Sequence, residues 1–164
     1  MSYRVKGLAD GGSQADLAAL AAESAQIDTV LYLLPVQQPA LVKQAAAVAR
    51  LLQTLRTAGI APGQIILVGQ YGDGLELSHL ESWIGFERSL TRAWPGTGLK
   101  VLMLELEVAD CLAGEAWLER LWAEVLQTEG HSILYRNAER YALSIEGEEA
   151  GSRLVADTTK ETLP

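Results

Sequence analysis

The residues best placed to do chemistry lie together in the stretch "LVGQYGDGLELSHLESWIGFERSL", residues 67 to 90. Gly69, Gly72 and Gly74 make a G-x-x-G-x-G run, and Ser78, His79 and Glu81 follow it. A glycine-rich turn between a buried strand and a helix lets backbone N–H groups approach a phosphate, with the helix dipole adding to the attraction. A hydroxyl, an imidazole and a carboxylate in sequence invite nucleophilic or acid–base chemistry. Spacing argues against each. No Gly-Lys-Ser/Thr occurs, so there is no P-loop, and no G-x-S-x-G elbow is present. Ser78 and His79 are neighbours that point in different directions at a helix start. Glu81 and Glu87 fall nearly opposite one another on a helix, which makes them surface groups rather than a carboxylate pair. Glu76 belongs to the same set of acidic residues. The turn carries Asp73 between its last two glycines, and its glycines are expected to serve tight backbone turns with positive φ. A small free-standing α/β enzyme using the Gly69–Gly74 turn is the alternative reading that these residues support.

The wider composition narrows the field. The chain has 164 residues, enough for one well-buried domain, with 49% hydrophobic residues and a net charge of −8. A surface that acidic argues against nucleic-acid binding, which needs clustered Lys and Arg. Cys111 stands alone, and His79 and His131 share no metal-ligand spacing, so neither a disulfide nor a metal is expected. The N-terminal stretch is too polar for a signal peptide. Apolar runs fall short of the ~20 residues of a membrane span. A cytoplasmic setting follows as the expectation.

The elements that must carry these residues alternate in type. "YRVKGL" reads as a short first strand, and Ser13 or Asp16 as the cap of a helix running to Ser24. "DTVLYLLP" (28–35) reads as a strand covered on both faces. Helix 39–58 follows, stopped by Gly59, then the strand "GQIILVGQ", helix 78–94 and the strand "LKVLMLELE" (99–107). Helix 114–128 presents Trp117, Leu118, Leu121, Trp122 and Val125 on one side, and "HSILYR" with "ERYALSIE" reads as a strand pair around "NAE". The fold expected is α/β: a truncated Rossmann-like, short-chain-dehydrogenase-like, doubly wound and mostly parallel sheet in three layers. Residues 1–146 would form the domain and 147–164 a linker or flexible tail.

Such a sheet usually carries its dinucleotide fingerprint after the first strand. Gly7, Gly11 and Gly12 do not make G-x-G-x-x-G, and Asp10 and Asp16 would repel a phosphate. No cofactor-binding set emerges. The aromatic residues Trp83, Phe86, Trp94, Trp117 and Trp122 fall on helical faces, where packing explains them better than a cofactor box.

Several pieces together resemble one family. Gly85-Phe86-Glu87-Arg88-Ser89-Leu90, Trp94-Pro95, and Tyr135-Arg136 with Arg140-Tyr141 look like the ketoreductase domain of modular polyketide synthases, in particular its trans-acyltransferase branch. More narrowly, they are similar to its N-terminal structural subdomain, over roughly residues 28–145. In that family the ketoreductase pairs two short-chain-dehydrogenase-like folds. The C-terminal one binds NADPH and carries Ser, Tyr and Lys, and the N-terminal one is truncated and braces its partner. The resemblance puts Glu76 at the Tyr position, Leu80 at the Lys position, and Gly69 or Gln70 at the Ser position. It therefore implies no catalytic residue, no cofactor and no metal in this chain. It implies an adjacent catalytic half as partner, or another synthase domain if the parent is a pseudo-ketoreductase, in a pathway such as antibiotic biosynthesis. Helices 39–58 and 78–94 correspond to those that form a four-helix interface, with Leu80, Trp83 and Phe86 as candidate interface residues.

Overall fold

The computed structural model describes residues 27–33, 45–106, 115–127, 131–137, 139–148 and 151–157, with the isolated positions Ala15, Asp16, Ala19, Ala22 and Val36. The elements in chain order are β1 (Thr29–Tyr32), α1 (Ala45–Thr57), β2 (Gln64–Tyr71), α2 (Gly74–Ala93) and β3 (Gly98–Glu105), then α3 (Glu115–Leu126), β4 (Ser132–Arg136), β5 (Glu139–Glu148) and β6 (Gly151–Asp157). The expected first strand at "YRVKGL" and Cys111 lie outside the described residues. Of the helix expected from Ser13 to Ser24, the described positions Ala15, Asp16, Ala19 and Ala22 are helical.

The six strands form one sheet in sequential order, β1 to β6. The first four are parallel, and β5 and β6 are added antiparallel. Helices cover both faces, so the α/β, Rossmann-like, three-layer architecture holds. In β2 and β3 the side-chain alternation divides the core. Ile65, Leu67, Leu99, Val101 and Met103 pack with Val48 and Leu55 of α1 and with Leu80, Trp83, Ile84 and Leu90 of α2. Ile66, Val68, Leu102 and Leu104 pack with Leu121 of α3 on the other side. Buried on both faces, these strands read as continuous apolar runs.

That division has a topological consequence. The steps from β1 to β2, β2 to β3 and β3 to β4 all go the same way across the sheet. The first two crossovers place α1 and α2 on one face, and the third places α3 on the other. The β3–α3–β4 crossover therefore has the opposite hand to its two predecessors. Parallel crossovers are right-handed in about 98% of cases, so α3 occupies the disfavoured side.

Local chemistry sets the ends of the elements. Gly59, at φ 73°, closes α1: its N–H donates to Arg56 O (3.1 Å) and Ile60 N–H donates to Leu55 O (3.0 Å). These are the two bonds of a Schellman motif, with Leu55 and Ile60 both buried beside it. After α2, Pro95 and Gly96 (φ 90°) occupy the centre of a turn closed by Thr97 N–H to Trp94 O at 3.2 Å. Pro followed by a positive-φ Gly is the type II pattern, which accounts for the Trp94-Pro95 pair.

Three expectations need correction. β1 spans Thr29–Tyr32, pairs with β2 alone among the described residues, and is only partly buried rather than covered on both faces. Helix α2 begins at Gly74, before Ser78, because Asp73 caps it. Residues 147–164, read as a linker or tail, include the end of β5 and all of β6, whose register runs from Ala142↔Asp157 to Glu148↔Gly151. The Leu154-Val155-Ala156 run in this stretch is short, and its flanking polar residues hide it in a composition-based reading.

Candidate functional site

The glycine run is not a loop. Strand β2 continues through Gly69 and Gln70 to Tyr71, leaving Gly72 and Asp73 as the whole connection to α2. None of Gly69, Gly72 and Gly74 has positive φ, so the expected turn role does not apply. Two of them are glycine for lack of room. A Cβ on Gly69 would overlap Cδ2 of Leu80, and one on Gly72 would lie 2.7 Å from Cδ1 of Leu106.

The helix N-terminus that might greet a phosphate is occupied by the chain's own carboxylates. Glu76 N–H donates to Asp73 Oδ1 at 2.8 Å, and Gly72 N–H donates to Glu76 Oε2 at 2.9 Å. This reciprocal capping satisfies orphan N–H groups and places two acidic side chains at the positive end of the dipole. Ser78 Oγ donates back to Gly74 O at 2.9 Å, which ties its hydroxyl to its own helix. Ser78, His79 and Glu81 are not assembled into a catalytic set. Among the described residues no group of three or more His, Cys, Asp or Glu could hold a metal ion.

The C-terminal ends of parallel strands, where ligands bind in open α/β sheets, are tied together in the same way. Tyr71 Oη donates to Tyr135 O at 3.4 Å across the sheet. Burial, reinforced by the negative charge of Glu105, pushes the Tyr71 phenol up to about 12. It is a poor proton donor at neutral pH. Glu105 Oε2 accepts from Asn137 N–H at 2.7 Å, fixing the β4–β5 turn in which Asn137 takes φ 50°.

The most polar part of the interior lies on the other face, under α3. Glu124 is 2% exposed, and its carboxylate gathers three partners. Tyr135 Oη donates to Oε1 at 2.9 Å, Arg140 Nε donates to Oε1 at 2.6 Å, and Arg140 Nη2 donates to Oε2 at 3.2 Å. Lys100, also 2% exposed, sits with Nζ 3.7 Å from Glu124 Oε2 and donates to the α3 carbonyls of Glu124 (3.2 Å) and Gln127 (3.1 Å). Burial pulls the Lys100 ammonium below its ordinary value, and Glu124 opposes that. Burial and Glu124 together push the Tyr135 phenol well above its ordinary value. Arg120 lies over the Tyr135 ring at 5.7 Å. Sequence reading singled out Tyr135 and Arg140 but not the acid they share. A lysine in the middle of the apolar run "LKVLMLELE" was the available signal, since a buried Lys needs a partner.

The candidate interface residues separate. Leu80 and Trp83 are 0% and 1% exposed, inside the chain's own core. Phe86 remains partly exposed, lining a shallow groove between α1 and α2 with Leu52, Arg56, Leu90 and Trp94. No helix among the described residues is long and apolar enough to cross a membrane.

Fold and site together define a truncated Rossmann-like α/β unit whose nucleotide-facing turn is closed by its own side chains. Over 124 residues, 76% of its length, the chain is 33% identical to the polyketide synthase PksM of Bacillus subtilis (strain 168). It is a distant homologue of a segment of that polyketide synthase and spans 3% of its length. No protein-family model matches the chain, and no solved structure matches it significantly.

Proposed function

We propose that this chain is the catalytically inert structural subdomain of a polyketide synthase ketoreductase and braces an adjacent catalytic domain. The observation that carries this reading is the fate of two positions. Glu76, which the resemblance aligns with a catalytic Tyr, is spent in capping α2. Leu80, aligned with the Lys, is buried where its side chain fills the space over Gly69. Ketone reduction needs a proton donor with a lowered pKa and a bound nicotinamide. The helix that would supply the donor is committed to packing instead. The groove lined by Phe86, Leu52 and Trp94 supports a bracing role, because α1 and α2 correspond to the helices that pair across the family's four-helix interface.

Titrating the chain with NADPH tests the inert half of the proposal, and no saturable change in tryptophan fluorescence is expected. Saturation at micromolar NADPH would overturn it. Co-expression with the ketoreductase catalytic half of the same synthase tests bracing. Soluble yield of that half should rise with the chain present and fall when Phe86→Asp is introduced.

A further inference from the structure

We propose that the Lys100–Glu124 pair selects the face of the sheet on which α3 packs, enforcing a crossover of the disfavoured hand. The inference begins with parity. Along β3, Leu99, Val101 and Met103 point to the α1/α2 face, and Lys100, Leu102 and Leu104 point to the other. Apart from Lys100, both faces of the β2–β3 pair present aliphatic residues at the centre. If position 100 were apolar, nothing in the hydrophobic pattern would tell α3 which side to choose, and the usual handedness would send it to the α2 side.

Lys100 breaks that symmetry. Its ammonium is buried and needs acceptors, and α3 supplies them at its C-terminal end. The carbonyls of Glu124 and Gln127 accept at 3.2 and 3.1 Å, and the Glu124 carboxylate lies at 3.7 Å. The last carbonyls of a helix have no partners within it and carry the negative end of its dipole. With α3 on the opposite face, Lys100 would be left buried without them. Glu124 would meet Leu99, Val101 and Met103, and it would lose Tyr135 and Arg140 as well. An unpaired buried charge costs far more than a hand preference. Buried ion pairs contribute little net stability against apolar replacements, and their best-attested role is specifying one arrangement among several. This inference does not depend on the proposed function.

The test is refolding of the 164-residue chain from urea with pulsed amide exchange, comparing the parent with Lys100→Leu/Glu124→Leu and with Lys100→Met. In both variants, amides of β2 and α2 (residues 64–93) should gain protection at the parent rate. Those of α3 and β5 (residues 115–126 and 139–143) should gain it at least about tenfold more slowly, or in only part of the population. The pair would not be a selector if both regions gained protection at the parent rate and extent. Equal slowing or loss of protection in both regions, including failure of Lys100→Met to fold, would also overturn the proposal, since it would make the pair a general stabiliser.

Discussion

Arg140 on β5 grips Glu124 on α3 through both oxygens of the carboxylate, with Nε 2.6 Å from Oε1 and Nη2 3.2 Å from Oε2. The acid is buried while the arginine is partly open to solvent. Loss of one partner is therefore unequal to loss of the other. Glu124→Ala strands Lys100 in the interior and should cost about 3–5 kcal/mol, the range for breaking a buried pair. Arg140→Met leaves Glu124 with Lys100 and Tyr135 and should cost less. Urea midpoints at unchanged m-value measure both. A Glu124→Ala loss no greater than that of Arg140→Met would contradict the hub.

Gly69 and Leu80 form a second coupled pair. Gly69→Ala inserts a methyl where the Leu80 side chain lies, so it should destabilise by about 1–3 kcal/mol through overpacking. Leu80→Ala alone opens a cavity in the main core and should cost about 2–5 kcal/mol. Combined, the two changes should cost clearly less than their sum, because the added methyl enters the space that Leu80 vacates. Chemical denaturation of the three variants gives the coupling, and simple additivity would mean that the two sites do not share that space.

The parallel core was legible because β2 and β3 are unbroken apolar runs and α1 and α2 have clean helical spacing. Side choice was not legible in the same way. Leu121 and Val125 mark an apolar stripe on α3, but a stripe does not say which face of a doubly covered sheet it meets. That information resides in Lys100, one charged residue within a strand. The glycine run misled for a related reason. Glycine needed for positive φ and glycine needed for close approach look identical in sequence, and only Leu80 and Leu106 in three dimensions distinguish them. Of the candidate interface residues, Trp83 and Leu80 share a helix with Phe86, and only their angular positions relative to the sheet divide core from groove.

Alkaline pH should destabilise the chain through Tyr71. Its folded pKa, about 12, lies above the model value of 10.0. The native state therefore holds this proton after the unfolded chain has released it. The stabilisation is complete below the unfolded value and is lost as pH rises through the folded one. Lys100 works in the opposite sense, since its folded value is lowered and its contribution grows as pH approaches 10.5 from below. Comparing urea midpoints of the parent and Tyr71→Phe at about pH 9 and about pH 11 isolates the tyrosine contribution. The parent should lose more stability than the variant between the two. Identical slopes would mean that Tyr71 titrates normally in the folded protein.

Asp73 determines where α2 begins, and with it the shape of the region that most resembles a ligand site. Its carboxylate accepts from Glu76 N–H at 2.8 Å, and Leu77 N–H donates to its carbonyl at 3.1 Å. Removing an N-cap acceptor costs about 1 kcal/mol. Because Gly74 contributes poor helix propensity just inside the cap, the loss should appear as fraying of the first turn rather than a uniform weakening. In Asp73→Ala, amides of residues 75–77 should exchange faster while those of residues 80–90, anchored by Leu80, Trp83, Ile84 and Leu90 in the core, should change only with global stability. Asp73→Ser, which retains an acceptor oxygen, should recover most of the protection. If residues 75–77 stayed protected in Asp73→Ala, contacts such as that between Gly72 and Glu76, rather than the Asp73 cap, would be what holds the helix start at Gly74.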